Sequence, residues 1–391
     1  MIDVFIAACL AGILIPFVLY PIVLWLHAVL APAPVAEGDV TPKVDLLIAA
    51  HDEQASIAAR LENALSLDYP SDRLTIWVAS DGSTDATVEI ARRFETRGVR
   101  VLDLPRGGKA AALIAAVEAS RDSGASVLAF SDANSDWRRD ALRELVRPMA
   151  DASVGGVAGD QRYVASDRVA DTAAGERGYW SFDRQLKRWQ TRAGNAISAT
   201  GAIYAIRRAL FEPPPPDATD DFMISTGVIA QGRRLVFAEE AVAFEPPAEA
   251  SGGEFRRKVR IITRGLRAVG YRRALLRPGR TGLYAIELLL HKVWRRLTWI
   301  PLLLLVLAAP FAHTAALPLA LASLGAATVV ALGVFGLARP ALARFKIVSV
   351  ASYLVMVNAA CAWATFNALR GHRVARWDTE RPAAASAESA R

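Results

Sequence analysis

Four apolar runs in the first third of the chain each end in a polar loop. Lys43 to Ala50 leads into His51-Asp52-Glu53, and Leu74 to Ala79 into Asp81-Gly82-Ser83-Thr84-Asp85. Val99 to Leu104 leads into Gly107-Gly108-Lys109, and Ser126 to Phe130 into Ser131-Asp132-Ala133-Asn134. Each loop is followed by a helically patterned stretch, and strand, polar loop and helix in that repeating order predict an α/β fold with a mostly parallel, doubly wound sheet. All four loops then lie along one sheet edge, where open sheets bind ligands. No G-x-G-x-x-G follows the first run, so this edge lacks the dinucleotide fingerprint. Asp132, with the amide oxygen of Asn134 two residues on, offers oxygen ligands to a hard divalent cation. The same tripeptide also suits a turn or a helix cap.

Apolar bulk at both ends sets a second constraint, since 53% of the residues are hydrophobic. Phe5 to Leu30 contains no acid, Lys or Arg and is long enough to span a bilayer. It lacks a basic leader and an A-x-A cleavage site, so it reads as an anchor and not as a removed signal. Leu297 to Ala312, Leu317 to Leu337 and Ile347 to Leu369 are three further candidates, the first of them short. The expected organisation is therefore a membrane helix over 1–35, an α/β domain over 40–250, basic amphipathic helices over 251–296, membrane helices over 297–370 and a polar tail over 371–391. Three crossings after the domain place the tail outside, whereas Arg370, Arg373 and Arg376 argue for the inside. The only cysteines, Cys9 and Cys361, fall in apolar segments, which leaves oxygen or histidine to bind any metal.

The loops also occur in the order found in family-2 glycosyltransferases, and the chain resembles that family, which includes membrane-bound cellulose, hyaluronan and poly-N-acetylglucosamine synthases and several glycolipid synthases. The matching residues are Ala49-Ala50-His51-Asp52-Glu53, Asp81-Gly82-Ser83-Thr84-Asp85, Gly108-Lys109, Asp132-Ala133-Asn134 for the D-x-D loop, Gly201-Ala202-Ile203-Tyr204, and Thr219-Asp220-Asp221 for the T-E-D motif. Together they cover roughly residues 43 to 265. The resemblance implies a GT-A domain and transfer with inversion from a nucleoside-diphosphate sugar, in the first instance a UDP-sugar, aided by Mg2+ or Mn2+. It implies that Asp132 and Asn134 hold the metal and that Asp221 is the base, with Asp220 orienting the acceptor or capping the helix from Phe222 to Gly232. Ala50, Asp52, Glu53, Asp81, Lys109 and Gly201 are implied to bind the nucleotide sugar, with Asp81 meeting uracil.

Each of these assignments has a plainer alternative. Asp220 and Asp221 open a helical stretch and make a good capping pair, and Asp85 suits the first turn of the helix running to Phe94. A lysine at a helix start is unfavourable unless an anion shares the site, which favours a binding role for Lys109. Glycine at 201 lets backbone approach the donor sugar closely. His51 reads as a structural hydrogen-bonder.

Gly252 to Arg280 carries ten Lys or Arg and a single acid, Glu254, with apolar residues at helical spacing. Such a helix is expected to lie in the bilayer surface with its arginines toward anionic headgroups, and the flanking membrane segments favour lipid over nucleic acid as the partner of this basic surface. Arg257-Lys-Val-Arg260-Ile261 aligns with the family's Q-x-x-R-W motif, with Arg257 in the Gln position and Arg260 left to meet the departing diphosphate. Ile261 lacks the indole ring face that stacks on a growing glycan. A single transfer to a lipid or lipid-linked acceptor is accordingly weighed with a processive β-glycan synthase, and both with a catalytically silent nucleotide-sugar-binding assembly partner. Tyr179, Trp180, Phe182, Trp189 and Trp299 are candidate acceptor-facing aromatics. The expected location is a bacterial-type inner (plasma) membrane, multi-pass, with the catalytic domain cytoplasmic.

Overall fold

The computed structural model describes residues 1–163, 172–246 and 254–372. An eight-stranded mixed sheet has the order β3-β2-β1-β4-β7-β6-β8-β5. Its strands are β1 (Val44–Ala50), β2 (Leu74–Asp81), β3 (Arg100–Leu104), β4 (Val127–Asp132), β5 (Asp136–Trp137), β6 (Val154–Tyr163), β7 (Tyr204–Arg207) and β8 (Arg234–Glu245). The expected runs become β1 to β4, all mutually parallel. β7 lies antiparallel between β4 and β6, and β8 runs parallel to β6.

The chain winds outward from β1 in one direction to β2 and β3, then returns to place β4 on the other side of β1. That reversal opens a crevice at the carboxyl ends of β1 and β4. Alternation along β1 separates two cores: Leu46, Ile48 and Ala50 pack against α2 (Ile57–Leu65), α3 (Thr87–Arg92) and α5 (Ala141–Val146), while Leu47 and Ala49 face α4 (Lys109–Ala119) and α7 (Asp220–Ala230). All seven residues of β1 are buried, as a central parallel strand covered on both faces requires. Buried Asp45 within it is satisfied by Ser123 Oγ at 2.6 Å, Trp77 Nε1 at 3.2 Å and the Arg208 guanidinium.

Among the described residues, three helices are long and apolar enough to cross a membrane: α1 over Ile2–Leu30, α11 over Leu317–Ala338 and α12 over Lys346–Leu369. The short candidate at 297–312 differs. It forms a nine-residue helix, α10 (Trp299–Leu307), about 14 Å long at 1.5 Å per residue and too short to cross alone. α10 packs through Leu305 against Ile6 and Cys9 of α1. Before it, a helical run α9 over 283–297 includes a π-helical turn at Leu288–Trp294. α9 joins the two halves of the molecule: Trp294 Nε1 donates to Gly12 O of α1 at 2.7 Å, and Leu288 lies in the core with Phe222 and Met223 of α7.

The basic helix is present as α8 (Glu254–Tyr271), but it corrects the lipid-facing expectation. Lys258 Nζ lies 3.2 Å from Tyr353 OH of α12. Arg264 donates to Ala218 O at 2.5 Å, Arg267 pairs with Asp217, and Arg272 pairs with Glu212 at 2.6 Å and donates to Met223 O at 2.9 Å. These three arginines hold the loop and helix around Asp220 and Asp221. Arg256, Arg257, Arg273, Arg277 and Arg280 are the exposed cations among the described residues of this region, Arg280 while donating to Ala230 O at 3.2 Å. Arg373 and Arg376 lie outside the described residues.

Candidate active site

The crevice loops are fastened to one another before any ligand enters. Asp52 adopts φ 52°, left-handed backbone that Asp tolerates better than most residues. Its Oδ1 accepts from Thr84 N at 2.7 Å, and Gln54 N donates to Asp85 Oδ2 at 3.1 Å. Asp85 also accepts from Thr87 N at 2.9 Å, the first-turn role expected of it. Glu53, 3% exposed, receives Ser56 Oγ at 2.5 Å, and its own amide donates to Thr87 Oγ1 at 2.7 Å. The structure thus gives the Asp52 and Glu53 carboxylates to loop architecture, and leaves the backbone after Ala50 as the crevice wall.

Asp81 departs from the expected base contact. Its Oδ1 accepts from Gly107 N at 2.6 Å and Gly108 N at 2.7 Å, and Oδ2 pairs with Arg106 at 2.9 Å. The carboxylate is 1% exposed and anchors the 105–108 loop. Gly82 at φ +59° makes that closure possible, because a Cβ there would meet Arg106 N at 2.7 Å.

The same loop starts α4 and delivers Lys109 to the carboxylates. Its ammonium lies 2.5 Å from Asp132 Oδ1 and 3.4 Å from Asp220 Oδ2. Burial opposes the charge on Lys109, but Asp132 and Asp220 outweigh it and raise its pKa above the ordinary lysine value. Lys109 therefore bridges the end of β4 to the start of α7, where sequence reasoning had aimed it at the nucleotide. Gly201 serves this junction directly. A Cβ at 201 would sit 2.8 Å from Asp132 Oδ2 and 3.2 Å from Lys109 Nζ, so the glycine leaves room for these charged groups. Its loop is fixed by Ala199 N donating to Ser225 Oγ at 3.1 Å and Trp137 Nε1 donating to Ala202 O at 2.9 Å.

α7 begins two residues earlier than expected, so both acids lie in its first turn. Asp221 Oδ1 accepts from Phe222 N at 2.6 Å. Burial, and then the neighbouring Asp220, push the Asp221 carboxyl up to about 6, against the pull of Lys109. A carboxyl poised near neutrality beside a second acid is suited to taking up a proton. Asp220 Oδ2 is buried and accepts no hydrogen bond, its 3.4 Å contact with Lys109 being an ion pair.

The arrangement fits a hard cation that completes its shell with ligand oxygens. Asp132 faces the crevice, Gly201 clears the space beside it, and a lysine ammonium already stands against its oxygen. Among the described residues no group of three His, Cys, Asp or Glu could hold a metal alone, so a cation beside Asp132 would need further oxygens, such as those of a phosphate, to complete its shell.

Sequence reasoning missed Glu245 and Lys292. Glu245 ends β8 and is 8% exposed; burial, and then Asp132, push its carboxyl up to about 7. An acid closing an alternating strand was its only signal. Lys292 of α9 is lowered to about 8 by burial and then by Arg296, with Asp183 and Asp221 acting in the opposite direction. Its neighbour His291 joins Gln190 and Asp183 of α6 (Thr172–Ala193), and Gln190 Nε2 donates to Tyr20 OH of α1 at 2.8 Å. This buried network joins α6 and α9 to α1. Arg257 is on the exposed face of α8, Arg260 is half-buried, and Ile261 is 49% exposed. Phe182 and Trp189 pack with Tyr20 and Leu24, a core role in place of an acceptor surface, while the side chains of Tyr179 and Trp180 lie outside the described residues.

Residues 45–213 match the sequence model of the family described as glycosyl transferase family 2. The β-monoglucosyldiacylglycerol synthase of Synechocystis sp. is 26% identical over 187 residues, 45% of this chain and 38% of that protein. An N-acetylglucosaminyltransferase of Rhizobium sp. is 26% identical over 234 residues, 54% of this chain and 51% of that protein. The chain thus spans about half, or less, of the length of these relatives. Among solved structures, the mannosyltransferase PcManGT from Pyrobaculum calidifontis, in complex with GDP-Man and Mn2+, superposes with a TM-score of 0.71 at 22% identity, covering 95% of this chain and 100% of that one. That likeness is one of fold.

Proposed function

The chain carries a glycosyl transferase family 2 domain of GT-A fold, and on that premise we propose that it is an inverting, hexosyl-type glycosyltransferase that moves a sugar from a nucleoside-diphosphate sugar to a lipid or lipid-linked acceptor at a membrane surface. The observation that carries this reading is the junction of Asp132, Lys109, Asp220 and Asp221 at the crevice between β1 and β4.

In this reading the nucleotide enters along the backbone of 50–52 and the 105–108 loop. Asp132 and Asn134 would hold Mg2+ or Mn2+, which when bound would neutralise charge on the diphosphate and make it a better leaving group. Lys109, displaced from Asp132, remains within reach of Asp220 and of phosphate oxygens. Asp221 Oδ2 accepts the proton of the acceptor hydroxyl as that oxygen attacks the anomeric carbon. Asp220 keeps Asp221 basic by like-charge repulsion and orients the acceptor. Arg260 meets the departing diphosphate, with Arg257 as the second candidate contact.

A lipid acceptor is supported by the site's attachment to apolar helices through α9, and by the diacylglycerol-linked activity in the name of one relative. If α1, α11 and α12 are the crossings, two follow the domain. The tail then returns to the domain's side, in keeping with Arg370, Arg373 and Arg376 as cytoplasmic charges. A plasma-membrane enzyme with a cytoplasmic domain follows. The deciding experiment incubates the purified protein in native lipid with UDP- and GDP-sugars and identifies products by mass. A lipid carrying one sugar supports the proposal, a polymer ladder favours the processive synthase, and absence of turnover with every donor favours the silent binding partner.

A further inference from the structure

Asn134 leaves the cation loop with one carboxylate, and the nearest structural remedy lies more than a hundred residues away. β5 pairs antiparallel with β8, Asp136 opposite Phe244 and Trp137 opposite Ala243, which brings the residue before β5 and the last residue of β8 together. There Ser135 Oγ donates to Glu245 Oε1 at 2.7 Å, and Gln161 Nε2 donates to Glu245 Oε2 at 2.5 Å. Ser135 is itself 2% exposed, and its amide donates to Asp132 O at 3.4 Å. Gln161 belongs to β6, whose Tyr163 sits opposite Glu245 in the parallel ladder. Each carboxylate oxygen of Glu245 therefore fastens a different element, and one of them is the loop that carries Asp132 and Asn134.

We propose that Glu245 is the positioning residue of the cation loop, holding the Asp132–Asn134 turn through Ser135 and supplying the second negative charge that Asn134 lacks. The inference rests on the glycosyltransferase reading of the site and goes beyond it by assigning a residue outside the loop to its cation affinity. A buried carboxylate attached to a metal loop acts in two ways. Its hydrogen bonds fix ligand orientation, and its charge favours a divalent ion across a low-dielectric interior. A neighbouring aspartate at 134 would supply the same charge directly. Glu245 and residue 134 are thus predicted to be energetically coupled, and a purely architectural glutamate would show no such coupling.

The test uses the full chain in native lipid and reads Mn2+ binding by electron paramagnetic resonance in the presence of UDP. Glu245→Gln, which keeps an acceptor for Ser135, is expected to weaken Mn2+ binding on the order of tenfold, within the ~10–100-fold range typical when a group supporting a metal ligand is lost. UDP binding without metal should stay within about twofold. Adding Asn134→Asp to Glu245→Gln should restore most of the Mn2+ affinity, and Ser135→Ala should weaken it less than Glu245→Gln does. Mn2+ binding by Glu245→Gln equal to wild type, or a loss that Asn134→Asp leaves unchanged in a folded protein, overturns the role of Glu245. Absence of Mn2+ binding in the wild type overturns instead the cation reading on which it rests.

Discussion

Lys109 Nζ lies 2.5 Å from Asp132 Oδ1, so the lysine that opens α4 occupies the oxygen expected to face a cation. Without that ammonium, Asp132, Asp220 and Asp221 would crowd like charges into a buried junction. With it, Asp132 and Asp220 share one countercharge. The pair thus ties the end of β4 to the start of α4.

Asp221→Asn is expected to abolish transfer while leaving UDP affinity within a few-fold, because the base acts on the acceptor and not on the nucleotide. It should also stabilise the protein at pH 8. The folded-state pKa of Asp221 is raised to about 6, so its contribution to stability is complete below the unfolded value and is lost as pH rises through about 6. Melting temperatures at pH 4 and pH 8 check the sign: a gain at pH 8 and little change at pH 4. Loss of UDP binding by the folded variant would remove Asp221 from the base role.

The acid limb of kcat/KM should fall near pH 6, since protonated Asp221 cannot accept the acceptor's proton. Asp220→Asn removes the like charge that helps raise this pKa and should move the limb to lower pH, with a lower plateau. Rate profiles of the two proteins from pH 4.5 to 8 supply the comparison. An unshifted limb would assign the titration to another group.

Gly201→Ala is predicted to inactivate a folded enzyme. Its Cβ would fall 2.8 Å from Asp132 Oδ2 and 3.2 Å from Lys109 Nζ, so these side-chain ends must shift. An activity loss of about 100-fold or more is expected from displacement of a reacting group by an ångström, with a circular dichroism spectrum like that of wild type.

The arginines separate into two groups. Arg267→Ala, which strips Asp217 of its guanidinium partner, should reduce activity equally in anionic and neutral bilayers. Reversing exposed Arg273 and Arg277 to Glu should weaken activity chiefly in anionic bilayers, at about 1 kcal/mol per charge near the surface. Reconstitution across graded anionic lipid content distinguishes the two. Equal lipid dependence in both sets would return Arg267 to the bilayer face.

Local patterning determined the strands β1 to β4, the polar loops at their carboxyl ends, the Thr219–Asp221 helix start and the three apolar helices, because each is written in hydrophobic periodicity over fewer than about 25 residues. Sheet order and side-chain partners depend on contacts between distant segments, and these only the tertiary structure decided. Asp81 is drawn to the backbone of Gly107 and Gly108, Lys109 to Asp132, and Arg267 to Asp217. In each case a buried charge needed a partner, and the fold brought the nearest one from another element. Composition read the 254–271 helix as lipid-facing because ten cations in 252–280 have only Glu254 nearby in sequence. Asp217, Glu212 and the carbonyls of Ala218 and Met223 satisfy three of them in space. Glu245 shows the same limit from the other side: an acid at a strand end carries no local mark of its role, and only the pairing of β5 with β8 brings it to Ser135 and the cation loop.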